Sequence, residues 1–394
     1  MVVAHDNGFK YQQAQIEELR AGIALILERL TAAGIFNSAS YLSLLHRQQF
    51  EAIRRRHPCT MDLTIADVLF SRELAMHVVQ SAGLPALRAL QATSHMAGGK
   101  AKPTTREVTV MFPMMLCVLG GTDGQDSLAS VERFRPSNGT WETLPPMSSA
   151  RSSASVAVLS GRLHVWGGFN GTVFQQSSEC YDPAVGVWGD MTPLPVPRGG
   201  AACAVVDGRA YLFGGYDGER MLASAERLSV ENGHWEALPA MSQRRSGATA
   251  ASIAGKIYIC GGHNGDDVLS SVELFNPFSS TWQQAPAMLE RRRDAGSAIL
   301  AGKVFIVGGY NGVERLNSVE SFDPMSMSWS ALPSMSVRRT GPAVAVLKDK
   351  IYVCGGFDGS ERLNSAERFN VQAGIWESIA PMSRCRAGAA AAAL

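Results

Sequence analysis

Between Arg244 and Trp282 the chain reads RRSGATAASIAGKIYICGGHNGDDVLSSVELFNPFSSTW, and its apolar positions fall in short runs rather than helical stripes. ATAASI is small and apolar; KIYIC is apolar on both faces, as a strand covered on both sides requires. Ala254-Gly255 between them fits a two-residue hairpin turn, and Asn264-Gly265 marks the next loop. SVELF and the segment around Trp282 give two outer strands. The first hundred residues keep a different period. Ile16, Leu19, Ile23, Ile26 and Leu30 recur at spacings of three and four until Gly34, which predicts an amphipathic helix. Further helices are expected over 41–56, before Pro58, over 65–82, before Gly83, and from Pro85 to Met96. The pattern predicts a small all-α region over 1–97, a linker over 98–112 and a mainly β region over 113–394.

The β region repeats itself. Gly-Gly pairs stand at Gly120-Gly121, Gly167-Gly168, Gly214-Gly215, Gly261-Gly262, Gly308-Gly309 and Gly355-Gly356, a constant step of 47 residues. Trp141, Trp188, Trp235, Trp282, Trp329 and Trp376 keep that step. So do Glu132, Glu179, Glu226, Glu273, Glu320 and Glu367, and Arg151, Arg198, Arg245, Arg292, Arg339 and Arg386. Four short strands per unit, with turn signals every 8–12 residues or so, describe one propeller blade. A blade cannot cover both its faces alone, so neighbours must stack. Gly-Gly, an aromatic, Asp/Asn-Gly, Glu and Trp in that order resemble the Kelch repeat, which recurs six times over about 113–394. The resemblance implies a six-bladed Kelch β-propeller.

The last residues, RCRAGAAAAAL, fit the same register. Arg386 stands where a seventh repeat would begin, so RAGAAAAAL aligns with RGGAACAVV and RSGATAASI as an innermost strand without a blade of its own. Blade one lacks a clean inner strand before MLCVLGG; the tail is expected to supply it and close the ring. REVTVMF, Arg106 to Phe112, is a rival for that slot without the aligned arginine or the glycine turn.

Composition narrows the function classes. The formal net charge is +1, so no global field points to nucleic acid or membrane. No apolar run approaches the ~20 residues that span a bilayer. Seven scattered cysteines give neither a disulfide framework nor a zinc pattern, and a cytoplasmic, reduced chain is expected. Some Kelch-type propellers are copper oxidases, but His164, His234 and His263 occupy three different repeat positions, and no nucleophile–base motif or P-loop appears. His164 takes a slot filled by Tyr211, Tyr258, Phe305 and Tyr352, which reads as a core histidine. Cys260 and Cys354 share a position with Val307 and Phe213 and read as core. The expectation is a protein that is not an enzyme, with no cofactor and no metal.

Residues present in all six blades explain the fold; a partner touches only some blades. The repeated arginines and glutamates are therefore expected to be structural. The resemblance places partner contacts at the residue after the glycine pair, five residues further on, and after the repeated arginine. The first position reads Thr122, Phe169, Tyr216, His263, Tyr310 and Phe357; the second Ser127, Phe174, Met221, Val268, Arg315 and Arg362; the third Ser152, Gly199, Ser246, Arg293, Thr340 and Ala387. Phe169, Phe174, Tyr216 and Met221 form an aromatic sector. Arg293, Arg315 and Arg362, with Tyr310 and Phe357, form a basic one, and both residue types are favoured at binding hot spots. Glu314, Glu361 and Asp294 are positioned in sequence to neutralise some of that charge. RELAMHVVQSAGLPALRALQATSH, within 62–97, distantly resembles an F-box without its usual Leu-Pro opening, against the plain reading of a helical cap. Together these predict a protein-interaction module, a ubiquitin-ligase substrate receptor whose propeller takes a short acidic or phosphorylated segment. The alternatives are an actin-associated or other scaffold and, last, a copper-oxidase-type enzyme.

Overall fold

The computed structural model describes residues 115–183, 185–229 and 233–394. The expected helices, the F-box-like segment, the linker and the rival strand Arg106–Phe112 lie outside the described residues. Those described belong to one compact unit, Pro113–Leu394.

They form six four-stranded antiparallel sheets. Blade two shows the plan: strands Ser155–Leu159, Arg162–Trp166, Ser178–Asp182 and Val187–Met191, each paired with the next. Blades three to six repeat it from Ala202, Thr249, Gly296 and Ala343. The innermost strands neighbour one another in a closed cycle of six. In blades two to six the second strand is buried along all but its first residue, as the doubly apolar KIYIC run requires, whereas the fourth strands are largely exposed. Ala254 and Gly255 both take positive φ, 50° and 71°, which makes the inner hairpin a tight turn of matching twist.

Ring closure follows the register of the tail. Ala390–Ala393 pairs antiparallel with Leu116–Leu119, and Leu116 faces Ala393 while Leu119 faces Ala390. The apolar interior is divided into six clusters, one between each pair of adjacent blades. No blade has a core of its own.

The repeated arginines and glutamates join blade to blade. Arg151 is fully buried; its backbone carbonyl accepts from Gly121 N of blade one at 2.8 Å, while its side chain reaches into blade two. There the guanidinium donates to Gly167 O at 2.7 Å, to Ser177 Oγ at 2.7 Å and to Glu179 Oε1 at 2.9 Å. Glu179 Oε2 accepts from Ser148 N at 2.7 Å and so holds the incoming chain. Arg386 repeats this across the closure: its carbonyl binds Gly356 N of blade six, and its side chain binds Gly120 O, Ser130 Oγ and Glu132 of blade one. The first glycine of each pair makes room for that carbonyl. A Cβ at Gly120 would lie 2.1 Å from Arg151 O, and its φ of 62° suits glycine.

Two members of this joint are readable from the period but lie outside the Gly-Gly, Glu, Trp and Arg pattern. One is the serine that meets the guanidinium, as Ser130 and Ser177 do. The other is the buried methionine four residues before the arginine, Met147, Met241, Met288, Met335 and Met382, replaced by Leu194 in blade two.

The joint between blades two and three is incomplete. Glu226 Oε2 is buried with no partner among the described residues, because the position that donates N–H in the other blades is Pro195. Trp141, Trp188, Trp282, Trp329 and Trp376 each donate Nε1 to a carbonyl of the preceding blade at 2.8 Å. Trp235 Nε1 has no such partner. Both gaps trace to the proline-rich connection Thr192–Pro197, TPLPVP.

Candidate functional site: an arginine–aromatic ladder around the axis

The blade-to-blade connections and the loops after the glycine pairs share one end of the propeller. The three positions named from the repeat come together there in every blade. Phe169 bridges to Phe174 and Ser152, Tyr216 to Met221 and Gly199, and His263 to Val268 and Ser246. Tyr310 bridges to Arg315 and Arg293, Phe357 to Arg362 and Thr340, and Thr122 to Ser127 and Ala387. All but Ser152 and Gly199 are half-buried.

The second face position, five residues beyond the first, reaches toward the next blade. Phe174 lies between Phe169, at 4.9 Å, and Tyr216, at 5.1 Å between ring centroids. On the basic side the same geometry stacks cations on rings. Arg293 lies 5.2 Å and Arg315 4.9 Å from the Tyr310 ring; Arg315 and Arg362 each lie 5.1 Å from Phe357. The result is one ladder, Arg293–Tyr310–Arg315–Phe357–Arg362, whose guanidinium faces are taken by aromatic rings. Their Nε atoms are buried without a hydrogen-bond partner among the described residues.

The acidic neighbours do not neutralise it equally. Glu314 pairs with Arg338 at 2.8 Å, outside the ladder. Asp294 alone of the three candidates makes an ion pair with a ladder arginine, 3.9 Å from Arg293 Nε. Asp123, Asp217 and Asp358 cap the loops: Asp217 Oδ1 accepts from Glu219 N and Arg220 N at 2.8 Å, which holds its carboxyl below the usual range.

A collar lies nearest the axis. The second residue after each repeated arginine donates its N–H to the carbonyl of its counterpart in the preceding blade, Ser153, Gly200, Gly247, Asp294, Gly341 and Gly388 closing a cycle at 2.7–2.8 Å. All six take positive φ. Four are glycine; Ser153 and Asp294 hold the left-handed conformation at a cost. Gly247 leaves room for the Asp294 carboxylate, since a Cβ there would lie 2.4 Å from Oδ1. That carboxyl is ringed by protein yet wetted along the axis, with 42% of the side chain exposed. Desolvation raises it above the usual range, and Arg293 and His263 partly oppose this. The signal for Asp294 was the one break in an R-x-G pattern that carries a charge.

Among the described residues no three or more His, Cys, Asp and Glu converge as a metal cluster. His263 Nδ1 accepts from Gly265 N at 3.1 Å in its own loop. His164 is buried in blade two, as the sequence implied. No helix among those residues is long and apolar enough to cross a membrane.

The profile of the KLHDC2/KLHL20/DRC7 Kelch-repeats domain matches residues 108–294 and 191–341, more than half the chain, and the Kelch motif matches 338–383. The chain belongs to the Kelch-repeat family. Sixty residues are 42% identical to Kelch-like protein 35 of Mus musculus, covering 15% of this chain and 10% of that protein. A solved structure entitled "Structure of YjhT" superposes with a TM-score of 0.56 at 13% identity, covering 67% of this Kelch chain and 96% of the other. That likeness concerns the fold.

Proposed function

We propose that this Kelch propeller is a non-catalytic protein-interaction module that grips a short acidic or phosphorylated segment on the ladder face. The observation that carries the reading is the stack of Arg293, Arg315 and Arg362 on Tyr310 and Phe357. Ring stacking fixes the guanidiniums and leaves their edges as donors, which suits carboxylate or phosphate oxygens. Phe169, Phe174, Tyr216 and Met221 offer the same segment an apolar anchor; His263 and Ser246 stand in blade four between the sectors, and Thr340 bridges Phe357 in the basic one. In this reading the chain is a substrate receptor of a ubiquitin ligase, supported by the F-box-like pattern over 62–97. A scaffold role, actin-associated or otherwise, needs the same face and differs in what the N-terminal residues recruit.

The test is a peptide library carrying acidic, phosphorylated and neutral segments, each with one large apolar residue, screened by fluorescence anisotropy. Acidic or phosphorylated members should bind, and Arg315→Ala with Arg362→Ala should weaken them by about 2 kcal/mol or more if the contacts are desolvated. Affinity untouched by that double substitution and by raised salt would place the site elsewhere.

A further inference from the structure

Blade two departs from the repeat along one row of facing residues. His164, Cys180 and Gly189 stand in register across three neighbouring strands. The same row reads Tyr211, Arg227, Glu236 in blade three and Tyr352, Arg368, Glu377 in blade six, and there the arginine and glutamate pair. Blade one keeps the pair as Arg133–Glu142. Blades four and five also lack the charged pair, reading Tyr258, Leu274, Gln283 and Phe305, Ser321, Ser330, but only blade two sets a histidine beside a cysteine in this row.

The imidazole of His164 lies between two sulfurs. Its Nδ1 is 3.1 Å from Met191 Sδ, and its Nε2 is 3.7 Å from Cys180 Sγ. Met191 Sδ faces Nδ1 and Cys180 Sγ faces Nε2, so in the tautomer with the proton on Nδ1 the Nε2 lone pair faces the thiol. A soft metal taken between the nitrogen and the sulfur would displace the thiol proton, since the thiolate is the ligand form.

We propose that His164 Nε2 and Cys180 Sγ bind copper(I), with Met191 orienting the imidazole. Metal bonds of about 2.0 Å to nitrogen and 2.3 Å to sulfur span the observed separation with an angle of roughly 115° at the metal. That angle leaves a third position for water or a small thiol from solution. Space for it exists beside Cys180, because a Cβ on Gly189 would meet nothing within 4 Å. A thiolate selects a soft ion. Zinc in a closed site takes four nitrogen, sulfur or oxygen ligands, which the described residues do not assemble.

The full chain, reduced and kept free of oxygen, is titrated with copper(I) against the chromophoric chelator bicinchoninate. The wild type should withdraw one equivalent that Cys180→Ser and His164→Phe both lose. The phenylalanine is the ring blade five carries there as Phe305, so the fold should persist, checked by circular dichroism; if it does not, the Cys180→Ser titration decides alone. Met191→Leu should keep the equivalent but hold it about tenfold less tightly, as loss of an outer partner does. X-ray absorption should show sulfur and nitrogen neighbours together. A wild type that leaves all copper with the chelator, or Cys180→Ser with undiminished stoichiometry, overturns the site.

Discussion

Pro195 should be the weak point of the ring, and replacing it should strengthen the protein. In blades one, two, four, five and six the repeated glutamate accepts a backbone N–H from the incoming connection: Ser383 to Glu132, Ser148 to Glu179, Ser242 to Glu273, Leu289 to Glu320 and Ser336 to Glu367, at 2.7–3.0 Å. Pro195 has no N–H, and Glu226 Oε2 stays buried and unpartnered. Pro195→Ser restores the donor. A hydrogen bond to a charged group contributes about 1.5–3 kcal/mol, while freeing the unfolded chain from a proline costs about 0.4–1 kcal/mol. The net gain is about 1–2 kcal/mol, and a domain of this size gains roughly 2–4 °C in Tm per kcal/mol. Pro195→Ala supplies the same N–H and should gain slightly less, because a serine hydroxyl there adds a second bond, as Ser336 Oγ does to Glu367 at 2.7 Å. There is a second signature. Desolvation raises the Glu226 carboxyl, so the folded state takes a proton at a pH where the unfolded chain has none. Stability therefore falls as pH rises from the ordinary carboxylate range through the folded value, and the restored donor should flatten that slope. Thermal unfolding followed upward from the ordinary carboxylate range reads that slope. If serine and alanine variants both melt at or below the wild type with an unchanged slope, the missing N–H is not what leaves this joint short.

Arg386→Ala should destabilise by about 3–5 kcal/mol, because it strands buried Glu132, and Arg245→Ala should cost a similar amount by stranding Glu273; denaturant titration of both checks that the closure joint equals an internal one. Deleting 386–394 should expose the Leu116–Leu119 edge and favour aggregation, read by light scattering; cooperative melting at the wild-type temperature would refute closure by the tail.

Much of the architecture was legible in the chain because a propeller is a periodic object. The 47-residue step named the blades, and the register of Arg386 placed the tail as the closing strand. The period also brought the three face positions to one end, since identical connections emerge alike from identical blades. What the sequence could not supply is the relation between a residue and the next blade. That Arg315 lies between Tyr310 and Phe357, 42 residues further on, depends on the angle between sheets, which no local pattern encodes. The collar at Asp294 likewise exists only when six connections meet around the axis. Pro195 reads in sequence as one more loop proline; the buried Glu226 beneath it makes it a missing donor. His164 is buried as its slot in the repeat implied, but Met191 and Cys180 at its two nitrogens come from separate strands, and only the antiparallel register of blade two sets them there.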